Sequence, residues 1–81
     1  MTVTIRYFAM LRERAGVDSE ALSVDATGAT PAALYDRLTA QHAFGLDRGV
    51  VRAAVNGRYV SWDAPVADGD EVVFIPPVSG G

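Results

Sequence analysis

The chain has 81 residues, 49% of them hydrophobic, with seven arginines and no lysine, ten carboxylates, no cysteine and a formal charge of −3. That length allows one domain with a real core but leaves little room for a deep enclosed pocket. Without cysteine there is no disulfide framework, thiolate metal site or thiol nucleophile, and the surplus of carboxylates argues against gripping a phosphate backbone.

Residues 2–8 alternate, with Val3, Ile5 and Tyr7 on one side and Thr4, Arg6 and Phe8 on the other. That period of two predicts a half-buried strand. Residues 9–15 (AMLRERA) are helix formers stopped by Gly16, which predicts one or two helical turns. Residues 20–24 offer a second strand anchored by Leu22 and Val24.

Thr30 followed by Pro31 is the clearest helix start in the chain: an N-cap hydroxyl, then a proline whose missing N–H costs nothing at the first helical position. The helix is expected over residues 31–42, with Leu34, Tyr35 and Leu38 as its apolar stripe and Gly45 just past its end. Residues 50–55 then read as a strand, Asn56-Gly57 as a type I′ hairpin turn, and residues 58–62 as the return strand. Tyr59 and Ser61 share one face of that strand, and Val60 and Trp62 share the other. Asp68-Gly69-Asp70 makes another tight turn before residues 71–75, whose run Val72-Val73-Phe74-Ile75 is apolar on both faces, as befits a central strand.

Five strands and one substantial helix imply an α+β domain in which a mixed five-stranded sheet has its main helix packed on one face. The other face is expected to carry Phe8, Tyr59 and Val73 or Ile75, more apolar surface than a solitary domain of this size leaves open. No stretch approaches the roughly 18 apolar residues that span a bilayer. The N-terminus lacks the basic and apolar segments of a secretory signal. A soluble cytoplasmic protein is expected, with neither membrane nor nucleic acid as a partner.

Catalytic groups are sparse. His42 is the single histidine and reads as a favourable cation at a helix C-terminus. Asp68, Asp70 and Glu71 cluster at a hairpin turn, where turn chemistry accounts for Asp68 without a metal. Ser23, Ser61 and Ser79 have no base near them in sequence. The distinctive segment is residues 76–81, Pro76-Pro77-Val78-Ser79-Gly80-Gly81. Two prolines cannot extend a ladder by donation and favour a stiff, extended arm. Six residues reach at most about 20 Å, enough to enter a partner's site. Gly80 and Gly81, without Cβ atoms, could pass a narrow channel and present a terminal carboxylate. The organisation expected is therefore a domain over residues 1–75 and a tail over residues 76–81.

From end to end, the chain resembles the small subunits of molybdopterin synthase, which are ubiquitin-like β-grasp sulfur carriers. The matching residues are Arg6-Tyr7-Phe8-Ala9, Leu11-Arg12-Glu13, Gly16, Ala53-Ala54-Val55-Asn56 and Val60-Ser61. The most specific match is Asp68-Gly69-Asp70-Glu71-Val72 running on to Pro76-Pro77-Val78-Ser79-Gly80-Gly81. Trp62 and Gly57 are minor departures, and thiamine sulfur carriers look like shorter relatives without the proline pair.

The resemblance implies a carrier that is no enzyme on its own and binds no cofactor or metal. Its terminal carboxylate, on Gly81 with Gly80 as conformational neighbour, would be adenylated by an ATP-using, ubiquitin-activating-like enzyme and converted to a thiocarboxylate. The tail, Pro76, Pro77, Val78 and Ser79 included, would then enter the large synthase subunit and give its sulfur to cyclic pyranopterin monophosphate, within a heterotetramer. Phe8, Tyr59 and Ile75 would contact these partners or simply pack the sheet surface. Arg12 would steer toward an acidic partner or pair with Glu13 or Asp18. A carrier for thiamine or tRNA thiolation, and a ubiquitin-like modifier, are the alternative readings.

Overall fold

The computed structural model describes residues 1–77, so the expectations on Val78, Ser79, Gly80 and Gly81 lie outside the described residues. Strand β1 (Thr2–Tyr7) leads through helix α1 (Ala9–Ala15) to β2 (Ser19–Ser23) and the long helix α2 (Pro31–His42). A 3₁₀ turn (Arg48–Val50) precedes β3 (Arg52–Val55), β4 (Arg58–Val60) and β5 (Glu71–Ile75). The five strands form one sheet in the order β2-β1-β5-β3-β4. Only β1 and β5 run parallel; every other neighbouring pair is antiparallel.

Local signals set most of the boundaries. Gly16 ends α1 in the left-handed region at φ 79° and donates its N–H to the Arg12 carbonyl at 2.9 Å. The Thr30 hydroxyl accepts from the Ala33 N–H at 3.2 Å, capping α2 as expected. Asn56 and Gly57 adopt φ 51° and 84°, the twisted hairpin geometry that joins β3 to β4.

Strands β1 to β4 differ from the sequence expectation by one or two residues at their ends. Helix α2 covers residues 31–42 as expected, but it is capped by Ala43 rather than by a glycine: Ala43 takes φ 53° and donates to the Thr39 carbonyl at 2.8 Å. The aromatic ring of Phe44 is thereby turned into the core, where it is fully buried. Val50 belongs to the 3₁₀ turn, because its N–H bonds back to the Asp47 carbonyl at 3.1 Å, and it is 52% exposed. Strand β4 ends at Val60, after which the Ala64 N–H closes a turn on the Ser61 carbonyl at 3.2 Å.

The face covered by α2 is the core. Val3, Ile5 and Tyr7 from β1, Leu22 from β2, Val72 and Phe74 from β5, and Ala53 from β3 meet Leu34, Tyr35 and Leu38 of α2. Trp62, partly buried, stacks on Phe74 with ring centroids 5.9 Å apart and planes 12° from parallel. The opposite face is less apolar than expected. Arg6 pairs with Glu71 across it at 3.6 Å. Val73, flanked in register by Arg6 and Ala54, is only 8% exposed.

Glu20, in register with Ile5, places a carboxylate on the core side at the sheet edge. Its Oε2 accepts the Tyr7 hydroxyl at 2.7 Å and lies 2.9 Å from His42 Nε2. Burial alone would raise the Glu20 carboxyl, but hydrogen bonds from Tyr7 and His42 and the charges of His42 and Arg37 outweigh it and hold it below 4.5. The same burial, reinforced by Glu20, pushes the Tyr7 hydroxyl far above its ordinary range. His42 thus sits in the last turn of α2, as read from sequence, and gains a carboxylate there that the sequence did not reveal.

A second cluster fixes the start of β5. The Asn56 side chain donates to Asp70 Oδ1 and accepts the Glu71 N–H, both at 2.9 Å. Asp70 Oδ2 accepts the Ala67 N–H, and Asp68 Oδ1 accepts the Thr2 N–H, both at 2.8 Å. The Ala67 N–H chiefly, then the Asn56 amide, holds the Asp70 carboxyl below its usual range. The acidic cluster is therefore engaged in tying two turns and the end of β1 together.

Asn56→Gly keeps the backbone conformation of the turn and removes both side-chain bonds, so a loss of about 1–2 kcal/mol is expected by urea unfolding. Asn56→Ala should lose more, since a Cβ without a polar group disfavours positive φ. The lowered Glu20 carboxyl contributes stability that is complete above its unfolded-state value and is lost as pH falls through the folded-state one. Glu20→Gln should accordingly flatten the acid side of the stability curve, measured as urea midpoints on either side of pH 4.5.

Candidate functional site

Alternation along β5 turns Ile75 to the face away from α2, while Pro76 is buried and Pro77 is exposed. Register places Arg52 of β3 opposite Ile75 and Ala54 opposite both Val73 and Tyr59. The I′ turn makes this possible, because a two-residue loop pairs Val55 with Arg58 and so fixes Tyr59 on the open face. Together Val50, Arg52, Tyr59, Ile75, Pro76 and Pro77 enclose a shallow groove of about 300 Å³ at the root of the proline pair.

Four residues singled out from sequence, Tyr59, Ile75, Pro76 and Pro77, therefore meet in one place. Phe8 is the next residue beyond the Tyr7–Phe74 pair, just as Ile75 is on β5, so it stands at the same end of the sheet. It is 51% exposed and begins α1, its carbonyl accepting the Leu11 N–H at 3.1 Å. Arg12 does not join them. It lies on α1 with its Nε 3.6 Å from Asp18 Oδ1, an exposed pair of small energetic weight.

Arg52 and Val50 were not singled out from sequence. Arg52 precedes core-facing Ala53, so strand alternation could have placed it on the open face. Val50 was hidden by its assignment to a strand. The Arg52 guanidinium lies over the Tyr59 ring, 5.5 Å from its centroid. Tyr59 itself is 65% exposed.

The groove offers apolar walls, an aromatic ring and one cation, with no carboxylate, histidine or serine among the described residues that line it. That composition suits contact with another protein surface better than bond-making. Elsewhere, a smaller cleft of about 170 Å³ lies between the end of β2 and α2, edged by Asp25 and Arg37. Arg37 is already committed there, donating to the Ser23 carbonyl at 2.9 Å.

The ThiS family matches residues 5–81. The molybdopterin synthase sulfur carrier subunit of Escherichia coli (strain K12) is 42% identical over 82 residues, covering 98% of this chain and 99% of that protein. A putative molybdopterin converting factor, subunit 1, from Pyrococcus furiosus superposes with a TM-score of 0.82 at 39% identity, covering 96% of this chain and 99% of the other. SAMP1, a small archaeal modifier protein from Haloferax volcanii, gives a TM-score of 0.84 at 29% identity with both chains fully covered at 100%. The fold is the ubiquitin-like β-grasp, and the chain belongs to the ThiS family, among the molybdopterin synthase sulfur carrier subunits.

Ile75→Asp should weaken binding of a partner to this face far more than it weakens folding, because Ile75 is only partly buried and its face has no helix over it. Isothermal calorimetry against the partner, paired with thermal unfolding, checks both halves; equal binding would remove the face from the interface.

Proposed function

We propose that this chain is the sulfur-carrying small subunit of a molybdopterin synthase and that Gly81 bears the reacting acyl group. What carries the reading is the likeness to a sulfur carrier subunit over nearly the whole chain, with the family match extending to residue 81. A subunit of this kind works with a large subunit, and the groove at the root of residues 76–77 supplies a face for it.

The chemistry follows from the acyl group. A carboxylate oxygen is a poor leaving group. Attack of the Gly81 carboxylate on the α-phosphorus of ATP, in the site of a ubiquitin-activating-like enzyme, releases pyrophosphate and makes an acyl adenylate. A sulfur nucleophile then displaces AMP, leaving a thiocarboxylate whose sulfur belongs to the main chain, so no cysteine is needed. Carried by residues 76–81 into the large subunit, that sulfur passes to cyclic pyranopterin monophosphate, water taking its place on the Gly81 acyl carbon to return the carboxylate, and a second such transfer completes the two-sulfur dithiolene of molybdopterin. ATP serves the activating enzyme, and the carrier itself holds neither cofactor nor metal. The assembly is a cytoplasmic heterotetramer with two small subunits.

The likeness to SAMP1 favours a second reading, in which the same activated acyl group is joined to an amine of another protein. Intact mass separates the two. A thiocarboxylate is heavier than the acid by the difference between sulfur and oxygen, whereas conjugation yields a linked species.

Deleting Gly81, or adding one residue after it, should abolish conversion of the pterin when the chain is supplied with activating enzyme, ATP, a sulfur donor and the large subunit. The thermal midpoint should stay unchanged, since chain ends contribute little to stability. Retained conversion in either variant would refute Gly81 as the reacting residue.

A further inference from the structure

Five of the seven arginines are already engaged within the chain. Arg6, Arg12 and Arg48 lie 3.6, 3.6 and 3.7 Å from Glu71, Asp18 and Asp36. Arg14 and Arg37 donate to the carbonyls of Phe44 and Ser23, each at 2.9 Å. Among the described residues, Arg52 and Arg58 have neither a carboxylate nor a carbonyl partner. Arg58 follows the hairpin turn and faces away from Tyr59. Arg52 lines the groove at the root of the proline pair and is the only charged residue among the described residues that line it.

Its guanidinium is nevertheless positioned, lying over the Tyr59 ring at 5.5 Å. A cation–π contact of this kind uses none of the N–H donors, and the planar fork they form matches the two oxygens of a carboxylate. The chain as a whole carries a charge of −3, so this groove is a local cationic point on an acidic protein. A partner bearing a carboxylate is drawn to this groove and repelled by much of the remaining surface. Because Pro76 and Pro77 form part of the groove wall, a protein that receives the tail must come up against Arg52.

We propose that Arg52, positioned by Tyr59, is a specificity-determining residue that receives a carboxylate side chain of the large synthase subunit at the root of the tail. The assignment rests on the small-subunit reading above. It adds a charged contact to a face otherwise offering apolar contacts, and its geometry distinguishes arginine from lysine.

The test is calorimetric titration of the large subunit with the full-length chain and with Arg52→Ala, Arg52→Glu, Arg52→Lys and Arg58→Glu, at low and high salt. Arg52→Ala is expected to weaken binding about tenfold, Arg52→Glu more, and Arg52→Lys to recover only part of the loss. Added salt should weaken the parent complex and have less effect on Arg52→Ala. Arg58→Glu, with the same change in net charge as Arg52→Glu, should stay within about twofold of the parent, because it lies off the groove. Thermal unfolding of each variant confirms that the exposed substitutions leave the fold intact. Parent-like affinity of both Arg52→Ala and Arg52→Glu would overturn the assignment and leave the carrier function standing. Tighter binding by Arg52→Glu would instead mark Arg52 as a holder of the chain's own terminal anion, also overturning it. Failure of the parent chain to bind the large subunit or to become thiocarboxylated would overturn the functional reading along with it.

Discussion

The structure depends on where β5 lies and how firmly its register is set. It runs between β1 and β3, parallel to one and antiparallel to the other, and it is apolar on both faces. Val72 and Phe74 are completely buried against the helix layer, while Val73 is covered from the other side by its in-register neighbours. A one-residue slip would exchange these two sets and expose Phe74, so burial alone resists it strongly. The Asn56–Asp70–Glu71 hydrogen bonds remove the remaining freedom at the strand's beginning. With that end tied and both edges paired, the position of Ile75 and of the prolines after it is dictated by the sheet.

The two faces of that sheet have been given different work. One is filled by the rings of Tyr7, Tyr35, Phe44, Trp62 and Phe74, which pack at centroid distances between 5.2 and 5.9 Å. At one edge of this layer Glu20 satisfies Tyr7 and His42 together, and within it the Tyr35 hydroxyl donates to the Leu46 carbonyl at 2.7 Å. On the opposite face Ala54 and Val73 are buried, Arg6 pairs with Glu71, and Tyr59 is 65% exposed. A domain this small has no space for a reaction chamber, and the groove it carries at the root of the proline pair is shallow.

Much of this was legible in the sequence because the signals were local. Thr30-Pro31, Gly16, Asn56-Gly57 and Asp68-Gly69-Asp70 each satisfy a backbone requirement within a few residues, and each lies where it was read. What escaped was set by distant partners. Ala43 accepts an unfavourable φ because Phe44 must reach the core, a demand invisible in a search for glycine. Val50 looked like strand because it is β-branched, yet its N–H is taken by Asp47. The Glu20–His42 contact joins residues 22 apart in sequence. At the groove, alternation placed Tyr59 and Ile75 correctly on the open face, whereas Arg52 resembled any solvated cation until the ring beneath it was seen.

The proline pair straddles the boundary between body and solvent, Pro76 being buried and Pro77 exposed. A pyrrolidine ring fixes φ near about −65° at each, so the junction has no swivel where a flexible linker would have one. As far as residue 77 the chain therefore follows a bearing chosen by the sheet. In the proposed function, misalignment between the tail's root and the large subunit would be corrected by tilting the entire domain more than by bending at the root. On that reading, fit along the groove and depth of entry would be coupled, so a small shift in one would move the other.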